Sequence, residues 1–404
     1  MSEPRPKLRP IEVRHVVENG RALLLLRDPL ALSDRVLLVP QSLAPALALC
    51  DGTRDAGTLG AALALRYGIR VPTSRLREMI ATLDEALFLE GDRCEQARRA
   101  ALAAYRAAPF RPPALAGAAY PSDPEALRAA LQGYLETAAA DVQPAPEGRG
   151  VLSPHIDYPR GGPVYARVWK RAAAMARAAD LAVILGTDHQ GGEDLATLTR
   201  QSYATPYGVL PTPREAVDAL AAAVGEEAAF AGELRHRSEH AIELAAIWLH
   251  HVRGGEACAL LPILCGSFVR FVRGEADAGE DATLTRLLAA LASVIAGRRA
   301  LVIAAGDLSH VGPAFGGPPL DLNGRARLRA ADDALLRHVC AGDAPAFLSS
   351  LRSVSDRNNV CGLPPLYLAL RLLGSSAGEV VAYDCCPADA SGASVVSIAG
   401  VVFS

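Results

Sequence analysis

The sequence predicts an α/β fold, a mixed central sheet flanked by helices, with a small α+β unit ahead of it. Three observations carry that reading. From about residue 115 onward, short apolar runs alternate with helical stretches, the pattern of a mainly parallel or mixed sheet covered by helices. Half of the 404 residues are hydrophobic, enough for a large buried core. Between the two parts, residues 94–114 are rich in Arg and Ala and then punctuated by Pro109, Pro112 and Pro113, which reads as a helical spacer and linker.

The first unit is expected at 10–93. Residues 29–38 are short and apolar. The stretches 41–49 and 55–67 read as helices separated by the turn residues Asp51 and Gly52, and 73–87 as an amphipathic helix capped by Thr73 or Ser74. Residues 88–92 suggest the start of a small wing. A short-strand and three-helix module of this size resembles the PqqD-like winged-helix modules that bind leader peptides, through Leu26-Arg27-Asp28-Pro29, Asp51-Gly52-Thr53-Arg54 and Leu83-Asp84-Glu85-Ala86-Leu87. A helical accessory domain without a ligand is the alternative.

In the main domain, 115–404, strands are expected at 150–155, 181–186, 259–265, 301–305, 380–383 and 395–402. Helices are expected near 124–139, 163–178, 213–225, 239–252, 282–296, 325–340 and 363–373. Arg160-Gly161-Gly162-Pro163 reads as a tight turn before a helix.

Charged residues make up 21% of the chain and the net charge is −3, which gives no electrostatic reason to expect nucleic acid or an anionic membrane as a partner. No apolar run is long enough to suggest a transmembrane helix. The polar, proline-rich start MSEPRPKLRP does not read as a secretory signal. Eight cysteines occur with no CxxC pair, a pattern that suits reduced thiols in the cytoplasm better than a disulfide framework.

Four segments place chemically able residues at strand ends or helix starts: Ser153-Pro154-His155, Thr187-Asp188-His189, Asp307-Leu308-Ser309-His310 and Asn358-Asn359-Val360-Cys361. Open α/β sheets bind ligands beyond the carboxyl ends of their strands, so three strand-end histidines can converge on one edge. Imidazole is the commonest transition-metal ligand, and a thiolate strengthens a site for zinc, copper or iron. Cys361 precedes the helix expected at 363–373, where a helix N-terminus favours the thiolate. Cys258, Cys265 and Cys340 sit in apolar surroundings and read as structural. Ser238-Glu239-His240-Ala241-Ile242-Glu243 opens a helix with Ser238 as the expected cap and with His240 and Glu243 on one face. His250 and His251, at its far end, read as surface residues or dipole partners. No HExxH, GxSxG, GxxxxGK[ST] or GxGxxG motif is present, so zincins, elbow hydrolases, P-loop enzymes and dinucleotide binders are not supported.

From 116 to 404 the residues resemble the Memo-like family. Ala116-Gly117-Ala118-Ala119-Tyr120 resembles that family's Ala-Gly-x-Trp-Tyr, with Ala119 in place of the tryptophan. Pro154-His155 followed by Tyr158 resembles Pro-His-Ala-Gly-Tyr, with Ile156-Asp157 replacing Ala-Gly. Leu185-Gly186-Thr187-Asp188-His189 resembles Leu-Gly-Pro-Ser-His; here Asp188 replaces serine and Gln190 replaces a second histidine. Thr205-Pro206-Tyr207-Gly208, Glu239-His240-Ala241-Ile242-Glu243, Asp307-Leu308-Ser309-His310, Cys361-Gly362 and Ser394-Val395-Val396-Ser397 follow in the family's order. Bacterial members are called AmmeMemoRadiSam system protein B, and their system includes a radical-SAM partner.

The resemblance implies a fold similar to class III extradiol dioxygenases. It also implies one transition metal ion (iron, copper or zinc) held by His155, His189 and Cys361, with His240, Asp307 and His310 beside it. A cysteine where the dioxygenases use a carboxylate softens the site toward copper or zinc. The expected function is metal-dependent redox or oxygenase-like chemistry on a small-molecule or peptide substrate, with His310 as acid/base and Asp307 orienting it. The alternatives are a metal- or peptide-binding scaffold for a radical-SAM system, whose peptide would dock on the first unit, and a metal-assisted hydrolase.

Overall fold

The computed structural model describes residues 3–192 and 194–404. Two compact units make up the chain, Met1–Ala107 and Ala108–Ser404. The first unit opens with a three-stranded antiparallel sheet in the order β1 (Glu12–Glu18), β2 (Arg21–Arg27), β3 (Leu37–Pro40). The apolar stretch at 29–38 overlaps only the start of β3; β1 is largely exposed and lacks an apolar stripe, and the apolar run of β2 lies outside the predicted elements. Helices Ala56–Tyr67 and Thr73–Glu85 form as the apolar spacing predicts, and Asp55 caps the first by accepting the Thr58 N–H. Leu26, Leu59, Leu63, Leu76, Leu83 and Phe88 are central to this unit's core. Where a wing was expected to begin, Leu89 instead forms an isolated bridge with Leu8, and helix Asp92–Ala107 follows.

The second unit is built on an eight-stranded sheet. Its strands are β4 (Gly150–Ser153), β5 (Leu181–Thr187), β6 (Ala196–Leu198), β9 (Ala259–Cys265), β10 (Ala300–Ala305), β11 (His310–Val311), β12 (Gly378–Pro387) and β13 (Val395–Phe403). A separate hairpin joins β7 (Tyr203–Thr205) and β8 (Gly208–Leu210). The order is β11-β13-β4-β10-β5-β9-β6, with β12 on the other flank of β13. The inner strands β4, β10, β5 and β9 run parallel, while β13 and β6 pair antiparallel with them. The sheet is therefore mixed, as the sequence predicts. β4 and β5 are buried along their whole length, which explains why they read as unbroken apolar runs rather than alternating ones.

Each face of the sheet carries its own core. On one face, helices Arg214–Val224, Ala282–Ile295 and Leu363–Leu373 pack through residues such as Leu220, Leu287 and Leu366. On the other, helices Pro124–Ala138, Tyr158–Arg171 and Ala241–Val252 contribute Leu131, Trp169 and Trp248. The glycines at 161 and 162 do not make a turn. They lie inside helix Tyr158–Arg171, where a Cβ would meet Ile156 Cγ2 at 2.5 Å and the Tyr134 ring at 2.5 Å. Close packing, not turn geometry, requires them. No described helix is long and apolar enough to cross a membrane.

Candidate metal centre

Parallel strands β4, β5 and β10 end side by side, so the segments that follow them meet at one edge. His155 follows β4 and is almost completely buried. Its Nδ1 lies 3.1 Å from the Ala305 carbonyl oxygen, and its backbone N–H donates to Asp307 Oδ1 at 2.8 Å. A carbonyl only accepts, so Nδ1 carries the proton and Nε2 keeps its lone pair. That lone pair faces Cys361 Sγ at 3.1 Å and stands 3.8 Å from Asp307 Oδ2. Burial, joined by the charges of His189 and His240, pushes the His155 imidazole well below its ordinary value.

His189 follows β5. Its backbone N–H and its Nδ1 both meet the Glu239 carboxylate at 3.0 Å. Burial pulls this imidazole down, but Glu239 and the Cys361 thiol more than reverse it, and the group is held well above its ordinary value. His240 presents its Nδ1 to the same Glu239 oxygen at 3.0 Å. The His189 and His240 rings stack with centroids 4.6 Å apart, and both meet His155 edge-on.

Cys361 stands two residues before helix Leu363–Leu373, as the sequence predicts. Its carbonyl accepts from the Thr187 hydroxyl at 2.9 Å. Burial pushes the thiol up, against the pull of His189, so the helix start alone does not leave a free thiolate here. Gly306 and Gly362 allow the approach: a Cβ on Gly362 would sit 2.6 Å from the Asp307 carbonyl oxygen, and one on Gly306 would sit 2.5 Å from Gly362 Cα.

Two overlapping donor groups result, each with its donor atoms within 4.8 Å of one another: His155, His189 and His240, and His155, Asp307 and Cys361. Ligands sharing one ion at about 2.0–2.3 Å are separated by about 3–4.5 Å, so donors gathered this closely could hold a transition metal. Of the donor set predicted from sequence, His155 belongs to both groups, His189 to the first and Cys361 to the second, and the Cys361 thiol also hydrogen-bonds the His189 imidazole.

His310, expected as an acid/base held by Asp307, lines the same cavity but is oriented otherwise. Its Nδ1 meets the Leu308 and Asn359 carbonyls at 3.2 and 3.1 Å, and burial brings it to about 4. Asp307 serves His155 instead, and burial raises its carboxyl to about 6 against the pull of the His155 and Ile156 N–H groups. The cavity has a volume of about 420 Å³ and is completed by Leu115, Ala119, Leu244, Phe315 and Val396.

A family model described as Memo-like protein matches residues 111–402. The chain belongs to the Memo-like family. A MEMO1 family protein of Aquifex aeolicus is 27% identical over 387 residues, covering 94% of this chain and 95% of that one. Another, from Methanopyrus kandleri, is 29% identical over 72% of this chain and 98% of its own length. A third, from Thermus thermophilus, is 28% identical over 79% of this chain and 90% of its own. The Memo-like match contains every donor named above. The Aquifex alignment extends beyond it into the first unit.

Two carboxylates close to the donors in this Memo-like chain have other duties than binding a metal. Asp188 is buried and ion-paired with Arg235 Nε at 2.7 Å, and Asp157 caps helix Tyr158–Arg171 while pairing with Arg160. Two further features were missed in the sequence. Glu239 accepts the His240 and Ala241 N–H groups at 2.8 and 3.1 Å, in place of the expected Ser238 cap, while binding both imidazoles. Its signal was a carboxylate at a helix start next to a histidine. Glu243 does not join His240 at the site. It is buried against the Arg111 guanidinium, the Tyr120 hydroxyl and the Ala114 and Leu115 N–H groups. His250, expected as a surface residue or dipole partner, lies in the last turn of its helix but is buried and bonded to Thr205 Oγ1 at 2.8 Å.

Proposed function

We propose that this Memo-like protein binds one transition metal ion through His155, His189 and Cys361 and uses it for redox or oxygenase-like chemistry. The observation that supports it is a set of convergent donors whose outer nitrogens are already committed. His155 Nδ1 is held by Ala305 and His189 Nδ1 by Glu239, which leaves both Nε2 atoms for an ion. His240 and Asp307 are the adjacent reserve donors. A bound ion supplies Lewis acidity and, for iron or copper, electron transfer. The chain's own residues do the rest. His310 stays unprotonated at neutral pH and offers Nε2 as a proton acceptor at the cavity wall. Leu115, Leu244, Phe315 and Val396 exclude water and hold an apolar part of a small substrate.

Metal analysis of the purified chain tests this. Near-stoichiometric zinc, copper or iron is expected in the wild type and a sharp loss in Cys361→Ala. Equal, negligible metal in both overturns it.

A second reading is a metal- or peptide-binding scaffold that serves a radical-SAM partner. It is favoured by β1, a sheet-edge strand with Val13 at 46% and Val17 at 77% exposure, suited to strand addition by an extended peptide. Pull-down with a chain lacking 1–93 separates the two: retention of every partner removes the peptide-recruiting role.

A further inference from the structure

A second cavity meets the donor cluster from the opposite face of the sheet. The first cavity draws its walls from helices Tyr158–Arg171 and Ala241–Val252, through Arg160 and Leu244. The second, of about 450 Å³, is bounded by Phe268 and Val272 and by Leu363 and Pro364 of the helix that follows Cys361. Phe268, Val272 and Leu363 belong to the core on the other face. His189 lines both cavities. Cys361 lines the second, whereas His155, His240 and Asp307 line the first. The donor cluster is therefore a partition at the crest of the sheet, with one compartment on each side.

The two compartments differ in chemistry. Leu115, Leu244, Phe315 and Val396 make the first the more apolar of the two, although Asp157 and Arg160, paired with each other, also reach it. Ser267, Arg273, Asp356 and Asn359 bring a hydroxyl, a guanidinium, a carboxyl and an amide to the second. The second wall also has three residues in the left-handed region, Ser355, Asp356 and Asn359, with φ values of 51°, 44° and 50°; Asp and Asn enter it more readily than other side chains, Ser less so. Conformations of this kind persist where surrounding structure enforces them, and they cluster at ligand sites. Thr187, also in this wall, pins the Cys361 main chain.

We infer that the second cavity is a separate binding pocket for a small hydrophilic molecule, which reaches Cys361 and His189 without passing through the first cavity. An organic substrate occupies the apolar compartment while a small polar co-reactant is delivered from the other side. Only this division of labour rests on the metal reading; the separate route to Cys361 does not.

The test uses the full chain, stripped of metal with a chelator and treated with iodoacetamide. The rate of Cys361 alkylation is followed by peptide mass spectrometry. Ser267→Trp fills the second cavity and is expected to slow alkylation about tenfold, while Ala314→Trp, in the wall of the first, changes it less than about twofold. Val269→Trp, at a half-exposed position of the second cavity, repeats the block without burying the new ring in the core. Cys385 lines neither cavity, and its unchanged rate verifies the fold of each variant. A larger slowing in Ala314→Trp, or none in either second-cavity variant, overturns the inference. Zinc binding by the same wild-type preparation is measured in parallel, so that a failure of the metal reading is seen separately from the alkylation rates.

Discussion

Glu239 gathers more of the site than its position in the sequence suggests. One buried carboxylate accepts from the His189 main chain, both neighbouring imidazoles and the first N–H groups of helix Ala241–Val252. Burial alone would raise its pKa; the His189 and His240 imidazoles instead hold it well below the usual carboxylate range. Glu239→Gln removes the charge and keeps the shape. Outer hydrogen bonds of this kind tune metal affinity by about 10–100-fold, and a weakening in that range is expected in competition with a chromophoric chelator. Cys361 shows what residue type and context do reveal. It stood out among the eight cysteines because it follows the polar run Asp356-Arg357-Asn358-Asn359 and comes just before a predicted helix. The partner of His310 was not distinguishable, because the backbone carbonyls of Leu308 and Asn359 that orient it carry no side-chain signature.

Helix Leu363–Leu373 brings Cys361 to β10 only because two glycines face each other across the contact. Gly362→Ala would drive a methyl against the Asp307 carbonyl and move the thiol away from His155. A loss of about 1–3 kcal/mol in urea unfolding is expected, together with metal content as low as in Cys361→Ala. Helix Ala241–Val252 is anchored differently, by the fully buried Arg111–Glu243 pair, with Arg111 also donating to the His236 and Glu239 carbonyls. Arg111→Ala strands the Glu243 charge in the core and is expected to destabilise the second unit by about 3–5 kcal/mol, measured by chemical denaturation. Amphipathic spacing located this helix correctly. It put His240 and Glu243 on one face, but the two side chains find different partners: His240, at the cap, meets Glu239, and Glu243 meets Arg111.

Each of the two units has a core drawn from its own residues. A chain of residues 108–404 is therefore expected to fold and to bind metal with the stoichiometry of the full chain, measured by elemental analysis. The first unit should also be sensitive to acid. Asp28 is buried with Arg9 Nη2 at 2.6 Å and accepts the Leu30, Leu32 and Ser33 N–H groups. Burial raises its carboxyl, but Arg9 and these N–H groups outweigh that, and the group is held below its ordinary value of 3.8. A depressed carboxyl stabilises the fold fully above its unfolded pKa, and that contribution is lost as pH falls through the lower, folded value. The first unit should thus lose stability below about pH 4 in an acid titration followed by circular dichroism, and Asp28→Asn should flatten that limb.

The order of strand-end histidines and the helix-start cysteine, the mixed α/β class and the Memo-like family were all present in the sequence. Each depends on local pattern: apolar runs mark buried strands, and residue types mark donor chemistry. Only the tertiary structure decided which donors face one another. It set His240 and Asp307 beside the expected ligand set, assigned Asp307 to His155 rather than His310, and gave Glu239 its role. It also turned Gly161, Gly162 and Gly362 into close-packing positions and set cavities on both faces of the sheet. These features arise where segments distant in sequence meet. The forces that settle them (burial, backbone hydrogen bonds and steric approach) leave no periodic trace along the chain.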